Sequence, residues 1–248
     1  MRRRFAGPHA KALWSDPWLG LDRLLAGGGM ALLWTFVGLT AGWWVYVPLH
    51  ELMHAAGCLL SGGTVTRLEI DALYDGALLA KALPFVVPAG EYAGRLSGFD
   101  TGGSDLVYLA TDLAPYLLTL WPGFWALRRA AVSRHPWRFG FWLPWALAPI
   151  VSLSGDAYEI GSLLVRQLPP WRSPAPAAAQ LVGDDLIRKA AELGSLGSAA
   201  PWVGFALAAA IGAAWAWTWV ALASRVASWL GESPLSSRPA DGRVAAGA

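Results

Sequence analysis

Cysteine is nearly absent from this chain. Cys58 is the only one in 248 residues, so no internal disulfide forms and no thiol pair is available to a metal. Its simplest role is that of a small apolar residue on a helix. Charge is scarce too: charged residues make up 15% against 55% hydrophobic, with a mean hydropathy of +0.41. That balance excludes an ordinary soluble domain and predicts an all-α polytopic membrane protein. The net charge is only +2, and no basic stripe with interleaved aromatics is present, which argues against a nucleic-acid partner. No compact apolar stretch with a cleavage site follows Arg2, Arg3 and Arg4, so no cleavable signal peptide is expected. There is no internal repeat. Tryptophan, by contrast, is abundant. Several of the sixteen (Trp14, Trp18, Trp121, Trp137, Trp202) sit near the ends of apolar runs, where aromatic belts form.

Histidine is also rare, and two of the four lie in one short stretch, His50-Glu51-Leu52-Met53-His54. On a helix, residues four apart leave the same face one above the other. Two imidazoles so placed can hold one zinc ion, with Glu51 positioned to take a proton from water. The plainer alternative is a pair of hydrogen-bonded helix histidines beside a paired or solvated Glu51.

About four transmembrane helices are predicted, with a small membrane-associated β-like hairpin after the first. Residues 1–29 form an N-terminal segment whose Leu13–Leu25 stretch carries Trp14, Trp18 and Leu21 on one side, as an interfacial helix does. The first span runs from Met30 to Val47 without a charge, and its Gly38-x-x-x-Gly42 permits a close helix contact. Helical character continues to Leu60. Pro48 should kink it or start a second helix just ahead of His50. In residues 64–103, Thr66, Leu68 and Ile70 alternate with Val65, Arg67, Glu69 and Asp71, a strand pattern. A turn at Tyr74-Asp75-Gly76 leads to a second apolar stretch, Ala77–Val87, read as the returning strand or, because Pro84 and Pro88 cut it, as part of a plain extramembrane loop.

The second span, Leu106–Leu127, is capped by Ser104 or Asp105 and contains Asp112 and Pro115. A carboxylate inside an apolar segment usually faces a polar interior. Asp112 is therefore a candidate for orienting a metal-bound histidine, or for facing water at the interface. The third span, Phe139–Leu164, carries Asp156 and Glu159. A zinc ion with two histidine ligands needs a third protein ligand and an open position. Asp156 is the first candidate and Glu159, one turn on, the alternative; both carboxylates marking a helix end is the simpler reading. Residues 166–200 form an extramembrane linker, with a Pro/Ala stretch at Ser173–Ala179. Within it, Val182, Leu186, Ala190 and Leu193 recur at helical spacing against Asp184, Asp185, Arg188 and Lys189. This is read as a surface helix. Residues 201–224 make the fourth span, and residues 225–248 a flexible tail.

Four spans place both termini and the 128–138 connection on one side. Lys and Arg there number twelve (Arg2, Arg3, Arg4, Lys11, Arg23, Arg128, Arg129, Arg134, Arg138, Arg225, Arg238, Arg243), against seven on the other side (Arg67, Lys81, Arg95, Arg166, Arg172, Arg188, Lys189). The positive-inside rule then puts both termini in the cytoplasm, in a multi-pass protein of a bacterial inner membrane. The same topology places His50, His54, Asp112 and Asp156 at similar depth, so they are expected to converge.

This arrangement resembles the site-2-protease class of intramembrane zinc metalloproteases. It combines His-Glu-x-x-His on a first core helix, a β-like stretch, and two further helices with an Asp in the last. The resemblance covers residues 30–165. It implies His50, His54 and Asp156 as zinc ligands, Glu51 as general base, and membrane protein or peptide substrates guided as an extended strand by the β-like region. Ser152, Ser154, Thr111, Asp112 and Tyr158 are expected to line a water-admitting cavity. The family usually shows Asn and Pro shortly before Leu-Asp-Gly. Here the stretch is Ala148-Pro149-Ile150-Val151-Ser152-Leu153-Ser154-Gly155-Asp156, with Gly before the Asp and no Asn. Two other classes are compatible: a CAAX-type membrane metallopeptidase with Glu159 as third ligand, or a non-catalytic scaffold or transporter subunit.

Overall fold

A computed structural model describes residues 8–90, 92–169, 171–172, 181–183, 185–194 and 200–237. Arg2, Arg3, Arg4, Asp184, Arg238, Arg243 and all of the Pro/Ala stretch Ser173–Ala179 lie outside them, as does the Trp14 side chain. The chain is mostly helical with one small sheet. In order come α1 (Pro8–Leu25), α2 (Gly29–Leu60), β1 (Thr64–Ile70), α3 (Gly76–Ala82), β2 (Val86–Pro88), β3 (Gly94–Asp100), α4 (Asp105–Leu113), α5 (Phe124–Val132), α6 (Pro136–Val151), α7 (Asp156–Val165), α8 (Leu186–Gly194) and α9 (Ala200–Trp229). Two of these, α2 and the 201–229 part of α9, are long and apolar enough to cross a membrane.

Several expectations change. First, α2 runs through Pro48 as one helix, so no second helix begins before His50. Second, the segments expected as the second and third spans are each interrupted. Pro115 cannot donate to the backbone ladder, and α4 gives way to a 3-10 turn, Ala114–Tyr116, then to a wide turn around Pro122 before α5 begins. Between α6 and α7, residues 152–155 form turns. Gly155 there is a poor helix former, and the Ser152 hydroxyl is paired with that of Tyr116. Third, the residue 64–103 region is not a hairpin. Ala77–Val87 supplies most of α3 and then β2, which pairs with β1 in parallel, while β3 pairs with β1 antiparallel, giving the order β2-β1-β3. A parallel pair needs a crossover between its strands, and α3 provides it.

The chain divides into two compact units. The first comprises residues 1–46, 117–148 and 219–248. Here the small residues of α2 do what their spacing predicts. A Cβ at Gly38 would lie 1.9 Å from the Trp137 carbonyl oxygen, and one at Gly42 would lie 2.1 Å from that of Phe141. Only glycine lets these two backbones approach so closely. The same unit buries Arg128 completely. Its Nε donates to Asp16 Oδ2 at 2.6 Å, and its Nη1 donates to Ser224 O, Ser228 Oγ and Glu232 O at 2.8, 3.0 and 2.9 Å. Asp16 Oδ1 accepts the Leu235 backbone N–H at 2.8 Å. The stretch from Arg225 to Ser236, expected as part of a flexible tail, is therefore folded. Leu235 is buried and its amide is tied to Asp16.

The second unit comprises residues 47–116 and 149–218. Leu68 and Ile70 of β1 are fully buried against Ala55 of α2 and Val86 of β2. Each such burial is worth about 1.5–3 kcal/mol, and it fixes the sheet against the helix that carries the histidines. Cys58 is buried, in keeping with its expected packing role. Ser104 caps α4 by accepting the Val107 N–H. Leu193 of α8 is buried, so this helix is docked by its apolar face rather than lying loose.

Candidate metal centre

The site lies wholly within the second unit. Helical spacing stacks His50 above His54, with ring centroids 4.7 Å apart. The turn at 152–155 starts α7 afresh at Asp156, and this brings its carboxylate to the two rings. His50 Nε2 lies 3.0 Å from Asp156 Oδ2, His54 Nε2 lies 3.1 Å from His50 Nε2, and His54 Nε2 lies 3.5 Å from Asp156 Oδ2. These three residues form one group able to hold a metal ion.

The donor chemistry fits a cation. His54 Nδ1 lies 2.9 Å from the Thr111 carbonyl oxygen. That oxygen only accepts, so Nδ1 carries the proton and a neutral His54 presents the Nε2 lone pair to the site. A single proton on His50 Nε2 can point at His54 or at Asp156, not at both. One cation between the three atoms satisfies all of them. Donors of a tetrahedral zinc at about 2.0–2.1 Å lie ~3.3 Å apart, and the observed separations of 3.0, 3.1 and 3.5 Å bracket that value.

Asp156 is itself held. The Tyr116 hydroxyl donates to Oδ2 at 2.8 Å and also pairs with Ser152 Oγ. Tyr116 packs edge-on against His50 and Trp215, with centroids 5.9 and 4.7 Å away. Glu51 lines an adjoining cavity of ≈ 390 Å³ together with His54, Gly94, Asp112, Asp156 and Glu159. Gly94 opens β3, and a Cβ there would lie 2.3 Å from Glu51 Cγ. The sheet thus sets where the Glu51 carboxyl can be, and only glycine leaves room for it.

The structure brings together His50, His54 and Asp156 as the sequence predicts, and it places Glu51 beside them. Glu159 lines the cavity but is not in the three-residue group; its Oε1 accepts a hydrogen bond from Tyr108. Asp112 also lines the cavity, yet the partner that orients His54 is the carbonyl one residue earlier, at Thr111. Of the expected lining residues Ser152, Ser154, Thr111, Asp112 and Tyr158, Thr111 and Asp112 do line it. Tyr158 instead donates to the Leu181 carbonyl at 2.9 Å.

Sequence reasoning overlooked Tyr116, Tyr108 and Gly94. The tyrosines carried a usable signal, because a hydroxyl in an apolar segment has to find a partner. Gly94 carried none, since its role depends on the pairing of β3 with β1. On the sheet itself, the Ser97 hydroxyl and then the Arg67 guanidinium, at 3.0 and 2.8 Å, hold Glu69 below its ordinary carboxylate range.

No family model matches this chain, and neither a curated protein nor a solved structure matches it.

Proposed function

We propose that this chain is a membrane-embedded zinc metalloendopeptidase, similar in plan to the site-2-protease class. The observation that carries the reading is the convergence of His50 Nε2, His54 Nε2 and Asp156 Oδ2 beside a cavity that Glu51 lines. Two imidazoles and one carboxylate with an open side suit a catalytic zinc site. When bound, zinc supplies a Lewis acid that activates water and polarises a peptide carbonyl. Glu51 accepts the proton of the attacking water and passes it to the leaving amine. Tyr116 and Thr111 hold Asp156 and His54 in their orientations.

An extended substrate fits the outer edge of β3. The sheet order puts β3 at an edge, and Gly94, Arg95, Leu96, Ser97 and Phe99 line the cavity. Backbone groups there can pair with an added strand while side chains select the sequence. The membrane setting rests on the two long apolar helices and on their outward apolar side chains. Met30, Phe36 and Trp34 of α2 are 63%, 64% and 51% exposed, and Val203 and Trp229 of α9 are 58% and 80% exposed. So much outward apolar surface is accounted for by lipid. If the chain crosses four times, its Lys and Arg distribution orients it with both termini in the cytoplasm of a bacterial inner membrane.

Metal analysis of the purified protein beside His50→Ala tests the centre. One zinc per wild-type chain is expected, and near none in the variant; near-zero zinc in both would overturn the proposal. Glu51→Gln separates an enzyme from a scaffold. It should keep the zinc and lower cleavage of a membrane-tethered peptide by about 10²–10⁴-fold. Undiminished cleavage would remove Glu51 from the mechanism. Against the CAAX-type alternative, Glu159→Ala should retain zinc where Asp156→Ala loses it.

A further inference from the structure

α7 starts afresh at Asp156, and a helix start leaves backbone groups without helical partners. In an unbroken helix the Ser154 carbonyl would accept the Tyr158 amide. Here the first helical bond of α7 runs from the Glu159 N–H to the Gly155 carbonyl, at 3.1 Å. The Ser154 carbonyl instead accepts the Leu186 N–H, at 2.7 Å. That donor also belongs to a helix start. Asp185 caps α8: its Oδ1 accepts the amides of Ile187 and Arg188 at 2.8 and 3.0 Å, and its carbonyl accepts that of Lys189 at 2.9 Å. The Leu186 amide, at the first helical position, needs a partner outside α8. The two helix starts satisfy each other.

A second bond lies on the other side of Asp156. Tyr158, fully buried, donates its hydroxyl to the Leu181 carbonyl at 2.9 Å. Leu181 is fully buried too, in a cluster with Tyr158, Val165 and Ala208 against which Leu186 packs. Leu186 and Leu181 are therefore fastened to the chain two residues before Asp156 and two residues after it. They also border the site, since their neighbours Val182, Gly183 and Asp185 line the cavity together with Asp156.

Gly155 gives this fastening its purpose. Without a Cβ its backbone has several directions open to it, so the turn alone does not fix where α7 points. Tyr116 holds the Asp156 carboxyl, and the two bonds hold the backbone that carries it.

We infer that the Leu186 amide and the Leu181 carbonyl are positioning groups for the metal centre: through Ser154 and Tyr158 they set the start of α7, and so aim Asp156 at a divalent cation between it, His50 and His54. The connection between α7 and α9 thereby governs how firmly the metal is kept. This rests on the metal-centre part of the proposed function and not on what the protein cleaves.

Zinc binding by the full-length protein in detergent tests the inference. Leu186→Pro deletes the amide, and proline suits a first helical position, so α8 itself is spared. Leu186→Ala deletes most of the side chain and keeps the amide. In a competition titration Leu186→Pro should bind zinc at least ~10-fold more weakly than wild type, while Leu186→Ala stays close to wild type. Tyr158→Phe, which removes the second bond and keeps the ring, should weaken zinc binding in the same direction. With cobalt in place of zinc, the ligand-field absorption should change in Leu186→Pro and not in Leu186→Ala. Wild-type affinity in Leu186→Pro, or an equal loss in Leu186→Ala, would overturn the role of the amide. The converse effect needs no variant. If the docked segment favours the metal, the metal favours the docked segment by the same factor, so zinc should slow hydrogen exchange at the Leu186 amide of the wild-type protein. Exchange there that is indifferent to zinc would overturn the inference even where a variant fails to fold. Wild-type protein that binds no zinc would overturn the metal centre itself, and the positioning role with it.

Discussion

Each of the two units buries charge, and they do so in opposite ways. In the first, Arg128 is 0% exposed and its donors are met by Asp16, Ser224, Ser228 and the Glu232 carbonyl. In the second, two imidazole nitrogens and a carboxylate oxygen crowd within 3.0–3.5 Å, and Asp112 Oδ2 has no partner. The first cluster is complete as it stands and reads as a brace. The second has more acceptors than donors and reads as a place for something that the chain does not itself supply. A buried polar group becomes informative once its hydrogen bonds are counted, because only the unmet ones call for a ligand.

The contrast breaks most easily at Arg128. Arg128→Ala leaves Asp16 buried without its cation, and should cost about 3–5 kcal/mol in denaturant unfolding. Replacing both with apolar residues, Arg128→Met with Asp16→Leu, should recover most of that loss. A single-variant cost below ~1 kcal/mol would mean that the brace carries no stability. In the second unit, Tyr116→Phe removes the hydroxyl that holds Asp156. Zinc affinity in a competition titration should fall about 10–100-fold while the fold persists. No change would mean that Asp156 is held by its helix alone.

The smallest effect lies on the sheet. Glu69 is held below its ordinary range by Ser97 and then Arg67, so its ionised form contributes stability above the unfolded carboxylate pKa. That contribution is lost as pH falls through the lowered folded value. Ser97→Ala should therefore leave a slightly shallower fall in melting temperature between about pH 5 and pH 3. An identical pH profile would remove Ser97 from the account.

Much of the candidate site is legible without coordinates. The spacing of His50 and His54 puts both rings on one helical face, and an acid as deep in an apolar segment as Asp156 asks for a partner. Gly38 and Gly42 likewise announce a close helix contact. The misreadings have separate physical causes. Ala77–Val87 looks like a returning strand, because a short apolar run does not by itself distinguish helix from strand. Residues 225–236 look unstructured, because their composition is loose and the bonds that hold them reach back to Asp16, more than two hundred positions away.

What the sequence determined by itself is local: an apolar, mostly helical chain, the first and last of its long apolar helices, a strand over residues 65–71, and two histidines poised on one face. What the tertiary structure decided is everything that depends on pairing across distance. It chose Asp156 over Glu159 by restarting a helix at residue 156, because a carboxylate at a helix start can be aimed where one a turn later cannot. It gave Thr111 the orientation of His54 and Gly94 the space beside Glu51. It also left Asp112 facing a cavity with an oxygen unanswered, which no periodicity records, because satisfaction of a buried group is a property of its neighbours.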